Sequence, residues 1–253
     1  MDLVVDELHL GTSEAAWASS DRMAGLPSLP ALRPRRVVVV APHPDDEAFG
    51  VGGLIQVMTT LHIPVEILLV TDGEGSHPLT ATTLGVDIRT VRAHETECAL
   101  QRLGCVDPLV TRLKLPDGHV AEHLDALTNI LVDTLFPDDL CVAPWRHDGH
   151  PDHDACGTAA LAATQAGHAQ LLGYLVWAWH WGHPDGLDLP WERLHRLALS
   201  RRMTARKRWA TGAYRSQTRP LGLDHGGAPL LPPSVLRRFW RPFEVFVMRA
   251  GEA

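Results

Sequence analysis

Two kinds of apolar spacing alternate along this chain. Arg36 to Ala41 (RVVVVA) and Val65 to Val70 (VEILLV) are mostly apolar runs rich in β-branched residues, with only Arg36 and Glu66 charged, the pattern of strands buried on both faces. Between them, Phe49 to His62 carries Leu54, Val57, Met58 and Leu61 at helical spacing. Strand, helix and strand in so short a stretch predict a right-handed βαβ unit with parallel strands. The alternation continues. Thr90 to Leu103 reads as a helix ended by Gly104, and His123 to Leu135 as another ended by Pro137. Leu140 to Ala143 reads as a strand, Asp152 to Ala166 as an Ala-rich helix and Leu171 to Trp179 as a strand with a bulky aromatic end. Trp191 to Tyr214 reads as one long helix and Phe243 to Arg249 as a last strand.

This order predicts an α/β fold, a three-layer α/β/α sandwich on a Rossmann-like, mainly parallel sheet. Residues 1–34, rich in Ser, Ala and Pro, read as an N-terminal arm with one short helix, leaving 35–253 as a single domain. In the aromatic tract Trp177, Trp179, His180, Trp181 and His183, alternate positions of a strand would share one face. That face either packs the core or makes a stacking wall, and the sequence does not choose.

Composition narrows the function. Hydrophobic residues make up 45% and charged residues 21% of the chain, an ordinary globular balance. A formal net charge of −7 argues against holding nucleic acid or an anionic membrane by bulk electrostatics. The basic stretch Arg201, Arg202, Arg206, Lys207 and Arg208 reads as a solvated helix face. No apolar run approaches the ~20 residues of a membrane span, and the first thirty residues lack the pattern of a secretion signal. The expectation is therefore a cytoplasmic protein without a stable membrane anchor, and a homo-oligomer is admitted but not required. Cys98, Cys105, Cys141 and Cys156 form no C-x-x-C pair and are expected to be free, mostly buried thiols.

Ligands of open parallel sheets bind outside the carboxyl ends of the strands. Two such ends carry dense polar clusters: His43-Pro44-Asp45-Asp46-Glu47 after the first strand, and His147-Asp148-Gly149-His150-Pro151-Asp152-His153 after the strand near Ala143. Each alone could be a turn or a helix cap. Together they supply a mixed nitrogen and oxygen donor set suited to zinc, iron(II) or manganese. Catalytic zinc takes three protein ligands and leaves room for water, a count met by one His and one Asp of the first loop and one His of the second. His150 and His153 lie on one side of a helix start, so one can bind metal while the other faces substrate. Asp152 is placed to accept from an imidazole and fix its tautomer. One of Asp45 and Asp46 can bind metal while the other takes a proton from water; the residues alone do not say which.

At these two motifs the chain resembles the LmbE/PIG-L deacetylase family, with its A-H-P-D-D-E and H-P-D-H signatures. Pro42 before His43 is a small departure. Looser landmarks agree: Thr71 to Gly75, Arg92-x-x-Glu95, Leu115-Pro116-Asp117-Gly118, and Lys207-x-x-Ala210-x-x-x-Tyr214-x-Ser216-Gln217. The resemblance covers roughly residues 36 to 249. It implies that His43, Asp46 and His153 hold Zn2+ (with Fe2+ or Mn2+ as alternatives), and that Asp45 is the general base. His150, in protonated form, would stabilise the oxyanion and set the alkaline limb of the pH profile, with Asp152 completing the catalytic set. Glu74 and Arg92 would shape the substrate pocket, with Arg89 competing for the arginine's place. The implied reaction removes an acyl group from the amide nitrogen of an acetamido sugar or glycoconjugate. Two other readings stand beside it: an amidase on a larger thiol or antibiotic conjugate, and a non-catalytic metal- or ligand-binding protein. Gly50-Val51-Gly52-Gly53 falls short of a dinucleotide fingerprint, because position 55 is Ile and the preceding loop is acidic. No G-x-S-x-G elbow is present.

Overall fold

The computed structural model describes residues 11–105, 107–167 and 169–249. In chain order the main elements are α1 (Glu14–Ala18), α2 (Asp21–Ala24), β1 (Arg36–Ala41), α3 (Asp46–Thr60), β2 (Val65–Leu69), α4 (Pro78–Leu84), α5 (Ile88–Leu103), β3 (Leu109–Arg112), α6 (Leu124–Thr134), β4 (Asp139–Pro144), α7 (Pro151–Gly167), β5 (Gln170–Tyr174), α8 (Ala178–Trp181), β6 (Leu194–Ala198), α9 (Arg201–Thr211) and β7 (Phe243–Met248). The sheet has seven strands in the order β3-β2-β1-β4-β5-β7-β6. The strands from β3 to β5 are parallel, while β7 runs antiparallel to both of its neighbours.

The expected α/β sandwich is thus present, and β1 shows why its apolar run is unbroken. Val37, Val39 and Ala41 belong to the core packed under α3, α5 and α9, whereas Val38 and Val40 belong to the second core, under α6 and α7. Both faces of the strand are covered. Because the chain winds one way from β1 to β2 and β3 and returns on the other side as β4 and β5, the sheet changes direction between β1 and β4. At such a switch point the loops leaving two neighbouring strands part and open a crevice.

Three sequence expectations need correction. Trp191 to Tyr214 is not one helix: Leu194–Ala198 forms the edge strand β6 paired with β7, and α9 starts anew where Ser200 Oγ accepts from Met203 N at 3.2 Å. The serine cap was the missed stop and start signal. The strand expected to run to Trp179 ends at Tyr174, and Ala178–Trp181 is helical. The short β3 was absent from the sequence reading, its four residues being too few to show a period.

Of the expected arm, residues 11–34 lie against the domain. Trp17 is buried edge-on to Trp179, with ring centroids 5.1 Å apart, and its indole donates to the Trp179 carbonyl. Glu14 pairs with the Arg241 guanidinium at 2.6 Å. Among the described residues all four cysteines are free, Cys98 half-buried and the others buried. The basic stretch on α9 is mostly solvated, but Lys207 is buried and paired with Glu244. No helix among the described residues is long and apolar enough to cross a membrane.

Candidate metal centre

The two clusters meet at the switch point. His43 to Asp46 leave the end of β1, and Pro144 to His150 leave the end of β4 and lead into α7. Donor atoms of His43, Asp46 and His153 all lie within 4.8 Å of one another. Asp46 Oδ2 is 3.3 Å from His43 Nδ1 and 3.2 Å from His153 Nε2. A second grouping, His43 with His150 and Asp152, has the same compactness. The carboxylate of Asp152 is already committed, however: Oδ2 accepts from Gly118 N at 2.7 Å and faces His43 Nε2 at 3.2 Å, and Oδ1 accepts from Val120 N at 3.1 Å.

The first set fits a cation on two grounds. His153 is fully buried, its Nδ1 is tied to Asp148 Oδ2 at 2.9 Å, and its Nε2 makes no hydrogen bond of regular geometry while facing the Asp46 carboxylate at 3.2 Å. A buried imidazole whose one nitrogen is fixed by a carboxylate and whose other nitrogen makes no regular hydrogen bond is the arrangement of a metal-ligating histidine. His43 repeats it in mirror order: Nε2 faces Asp152 and Asp117, at 3.2 and 3.1 Å, leaving Nδ1 on the Asp46 side. Asp152 therefore has the tautomer-fixing geometry expected of it, but toward His43.

Asp148 and Asp117 stand in the sequence motifs without a role that the sequence assigns; the structure puts both against the histidines. Asp148, fully buried, accepts not only from His153 but from the backbone N–H groups of Val176, Trp177 and Ala178, at 2.9 to 3.0 Å. Those bonds end β5 and start α8. The aspartate sat in plain view inside the second cluster, yet only the fold brings residues 176–178 against it.

Protonation follows from this crowding of carboxylates. Burial works to lower the His43 pKa, but bonds to Asp117, Asp152 and Asp46 prevail and hold it well above the usual imidazole value. Burial likewise opposes, and Asp46 and Asp148 overcome, a shift of His153 up to about 9. Asp46 goes the other way: burial opposes ionisation but the two imidazoles hold it well below the usual carboxylate range. Without a cation, the site keeps its negative charge balanced by protons on its histidines.

Asp45 lies beside the ligands rather than among them. Its φ of 140° is a rare and strained value for a non-glycine residue. The strain is held from several sides. Asp45 N donates to Glu47 at 3.1 Å, and Ala48 N and Phe49 N donate back to the Asp45 carbonyl. Arg92 donates to the Pro44 and Gly73 carbonyls and lies 3.1 Å from the Asp45 carboxylate. Burial pushes the Asp45 pKa up to about 7, partly opposed by the Arg92 charge. Glu47, wholly buried, is raised to about 8 by burial despite a hydrogen bond from the Tyr214 hydroxyl, which also lies 3.3 Å from Thr96 Oγ1.

His150 departs from its expected form. The backbone N–H of Asp152 donates to His150 Nδ1 at 3.2 Å, so that nitrogen is an acceptor and the single ring proton sits on Nε2. Burial and the neighbouring His43 and His153 push its pKa down to about 3. His150 is thus a neutral N–H donor, and the expectation of a protonated imidazole is corrected.

The expected pocket residues separate. Arg92 is 3% exposed and directs its two terminal nitrogens to the Asp45 carboxylate and two carbonyls, so these hold the Asp45 loop rather than reach out to a ligand. Glu74 is half-buried, with Oε1 3.4 Å from Asp117 N and Oε2 without a hydrogen-bond partner. Arg89 is exposed, 4.0 Å from Glu74. The aromatic tract divides by helical rather than strand spacing. Trp179 points into the core, where the Arg241 guanidinium stands 4.3 Å over its ring. Trp177 and Trp181, four residues apart, lie on the side of the second motif loop: Trp177 stacks on His150, and the Trp181 indole donates to the Asp148 carbonyl at 2.6 Å. The glycine run serves close packing. A Cβ on Gly50 would fall 2.5 Å from the Tyr174 ring, and one on Gly53 would strike Leu199 and Glu244.

Fold and site together define a mainly parallel α/β sandwich with, at its switch point, a His–Asp–His constellation that could hold a metal ion. The family description "PIG-L: GlcNAc-PI de-N-acetylase" matches residues 38–164, half of the chain, and the chain belongs to this family. It is 30% identical over 131 residues to a probable N-acetyl-alpha-D-glucosaminyl L-malate deacetylase 2 of Bacillus subtilis (strain 168), covering 50% of this chain and 59% of that protein. It is also 30% identical over 146 residues to a diacetylchitobiose deacetylase of Thermococcus kodakarensis, covering 51% of this chain and 49% of that one. The chain thus spans between about half and three fifths of the length of these curated relatives. Among solved structures, the zinc-inhibited form of the teicoplanin deacetylase Orf2 superposes with a TM-score of 0.60 at 17% identity, over 86% of this chain and 100% of that one, a likeness of fold.

Proposed function

We propose that this protein is a zinc-dependent hydrolase that removes an acetyl group from the amide nitrogen of an N-acetylglucosamine-type sugar or glycoconjugate. Family membership supports the bond type, and the names of its curated relatives, deacetylases of acetamido sugars, support the substrate class. The observation that carries the reading is the convergence of the buried His153 Nε2, which makes no regular hydrogen bond, with Asp46 and His43, the carboxylate of the backbone-strained Asp45 standing alongside. Ligand binding alone would need the first three residues but not a base held at the cost of backbone strain, which weighs against a non-catalytic role. The nitrogen and oxygen donor set favours zinc and also accepts iron(II) or manganese.

His43, Asp46 and His153 would hold the cation, which supplies Lewis acidity toward the acyl oxygen and acidifies a water. Asp45, ionised and steadied by Arg92, takes a proton from the attacking water. As the new carbon–oxygen bond forms, the acyl oxygen gathers negative charge, and the Nε2–H of His150 donates to it. Such a pre-aimed donor contributes on the order of a few kcal/mol. Collapse breaks the carbon–nitrogen bond, and Asp45 returns its proton to the departing amine. Acetate and free amine are the products, with no covalent enzyme intermediate. Asp152, bonded to His43 and presenting its N–H to His150, orients a ligand and a donor at once.

The test is metal analysis of purified protein, followed by assay of acetamido sugars, their glycosides and larger conjugated amides for free amine release. Release from acetamido sugars supports the reading. Turnover of only the larger thiol or antibiotic conjugates moves the substrate to the amidase alternative, and stoichiometric metal with no turnover on any of them refutes it.

A further inference from the structure

The indole of Trp177 stacks on the imidazole of His150, with ring centroids 5.6 Å apart and planes inclined by 28°. The other surroundings of His150 come from the metal site itself: the His43 ring meets it nearly edge-on at 5.0 Å and the His153 ring lies 5.1 Å away. Among the described residues one hydrogen bond, from Asp152 N to Nδ1, anchors the ring. A single bond leaves an imidazole free to tilt about it. The indole face supplies the missing restraint.

Trp177 is itself fixed at its backbone, independently of its ring. Its N–H donates to Asp148 Oδ2 at 2.9 Å, and the same oxygen accepts from His153 Nδ1 at 2.9 Å. One residue therefore bears on both histidines of the second motif: its main chain shares Asp148 with His153, and its side chain stacks directly on His150. The two functions separate under substitution, because shortening the side chain leaves the main-chain bond in place.

We propose that Trp177 is a positioning residue whose indole aims the Nε2–H of His150. The proposal rests on the reading of His150 as the oxyanion donor. Removing an offset aromatic partner of this kind is expected to lower kcat roughly two- to tenfold. A small misorientation of a catalytic group is enough to cost that much.

The experiment compares wild type, Trp177→Ala, Trp177→Phe, His150→Ala and the Trp177→Ala/His150→Ala double variant, each as the full zinc-loaded chain. Metal content, kcat and KM are read on an N-acetylglucosamine glycoside, and the ring tautomer is read from histidine side-chain 1H–15N spectra. Trp177→Ala is expected to keep its zinc and to lose kcat roughly two- to tenfold with little change in KM. Trp177→Phe, which keeps an aromatic face, is expected to recover most of that loss. In the His150→Ala background, removing the indole is expected to have no further effect. In the spectra, the His150 Nε2–H signal should be single in wild type and broadened or doubled in Trp177→Ala. Additive losses in the double variant, an effect on KM alone, or an unchanged His150 signal would overturn the proposal and make Trp177 a substrate contact or a packing residue. Should Trp177→Ala fail to fold, Trp177→Leu, bulky but not aromatic, takes its place against Trp177→Phe, with the same outcomes deciding. The spectra also read the proposal without turnover. A wild-type enzyme inactive on every acetamido sugar, with the His150 signal changing as expected, refutes the function and leaves the positioning intact.

Discussion

The backbone N–H of Asp152 donates to Nδ1 of His150, and this one bond fixes which proton the imidazole carries. A protonated ring would place a second N–H against the donor, so the geometry selects the neutral form with hydrogen on Nε2. Burial acts in the same direction, with the pKa pushed down to about 3. The activity profile between pH 6 and 9 should therefore contain no limb belonging to His150. His150→Gln, which still offers an N–H, should retain more kcat than His150→Ala, whose loss is expected near 10²-fold, on the order of one missing oxyanion donor. Both variants should hold metal normally. An alkaline limb that vanishes in His150→Gln, or metal lost from His150→Ala, would show that the ring is a charged acid or a ligand.

Asp45 should set the acidic limb. Burial raises its pKa to about 7 and the Arg92 charge opposes the rise; the charge of a bound cation opposes it further, so the limb of the metal-loaded enzyme should fall below 7. Activity rises with pH as the carboxyl ionises. Arg92→Met removes a favourable charge and should move the limb to higher pH, whereas Arg92→Lys should move it less. Asp45→Asn should keep its metal and lose kcat by about 10² or more. The pH dependence of kcat/KM, together with metal content, checks all three.

Metal binding should release protons. At pH 7 the metal-free His43 and His153 are held protonated by the carboxylates around them, and a cation must displace those protons to reach the nitrogen atoms. Calorimetric titration with zinc in buffers of different ionisation enthalpy should register roughly two protons released per ion at that pH. In the metal-free protein the sign for stability is the reverse of the carboxylate case. The raised His153 pKa contributes stability that is full below its ordinary 6.5 and lost as pH rises through about 9. Thermal melts across that window should show the decline, and His153→Ala should lessen it, leaving the share due to His43, and abolish tight metal binding. Asp148→Asn should weaken metal affinity by about 10- to 100-fold without removing a ligand.

Much of this was readable from the chain because it depends on local pattern. The mostly apolar runs of β1 and β2 announced strands covered on both sides, and the polar clusters at the ends of β1 and β4 announced the crevice. What could not be read depends on partners remote in sequence. Asp148 looks like any loop aspartate until residues 176–178 fold back onto it, and Asp117 becomes part of the site only because the loop after β3 passes over His43. Trp177 and Trp181 looked like strand residues because bulky aromatics favour strands; the three N–H groups captured by Asp148 outweigh that preference. The Leu194–Ala198 strand was hidden for a similar reason, since its edge pairing with β7 leaves few buried positions to betray a period of two.

The Tyr214 hydroxyl joins the buried Glu47 that receives the Asp45 N–H. Tyr214→Phe deletes that partner and leaves a buried carboxyl underbonded, at a cost of about 1–3 kcal/mol. Denaturant unfolding should show the loss. A fall in kcat without loss of zinc should accompany it, because the strained Asp45 backbone loses part of its support.

The α3 helix, which begins with Asp46, is broken at Val51, and its continuation starts at Gly53 and Leu54, whose N–H groups are taken by Glu244 of β7 at 2.6 and 2.8 Å. Lys207 neutralises the same carboxylate. During synthesis from the N-terminus, both motif loops therefore emerge well before the strand that completes the helix behind them. A nascent chain should bind zinc weakly until Glu244 has left the ribosome, which stalled chains of increasing length would reveal. Competence should thus be gained only once β7 has been made, although the residues of both motif loops are synthesised long before.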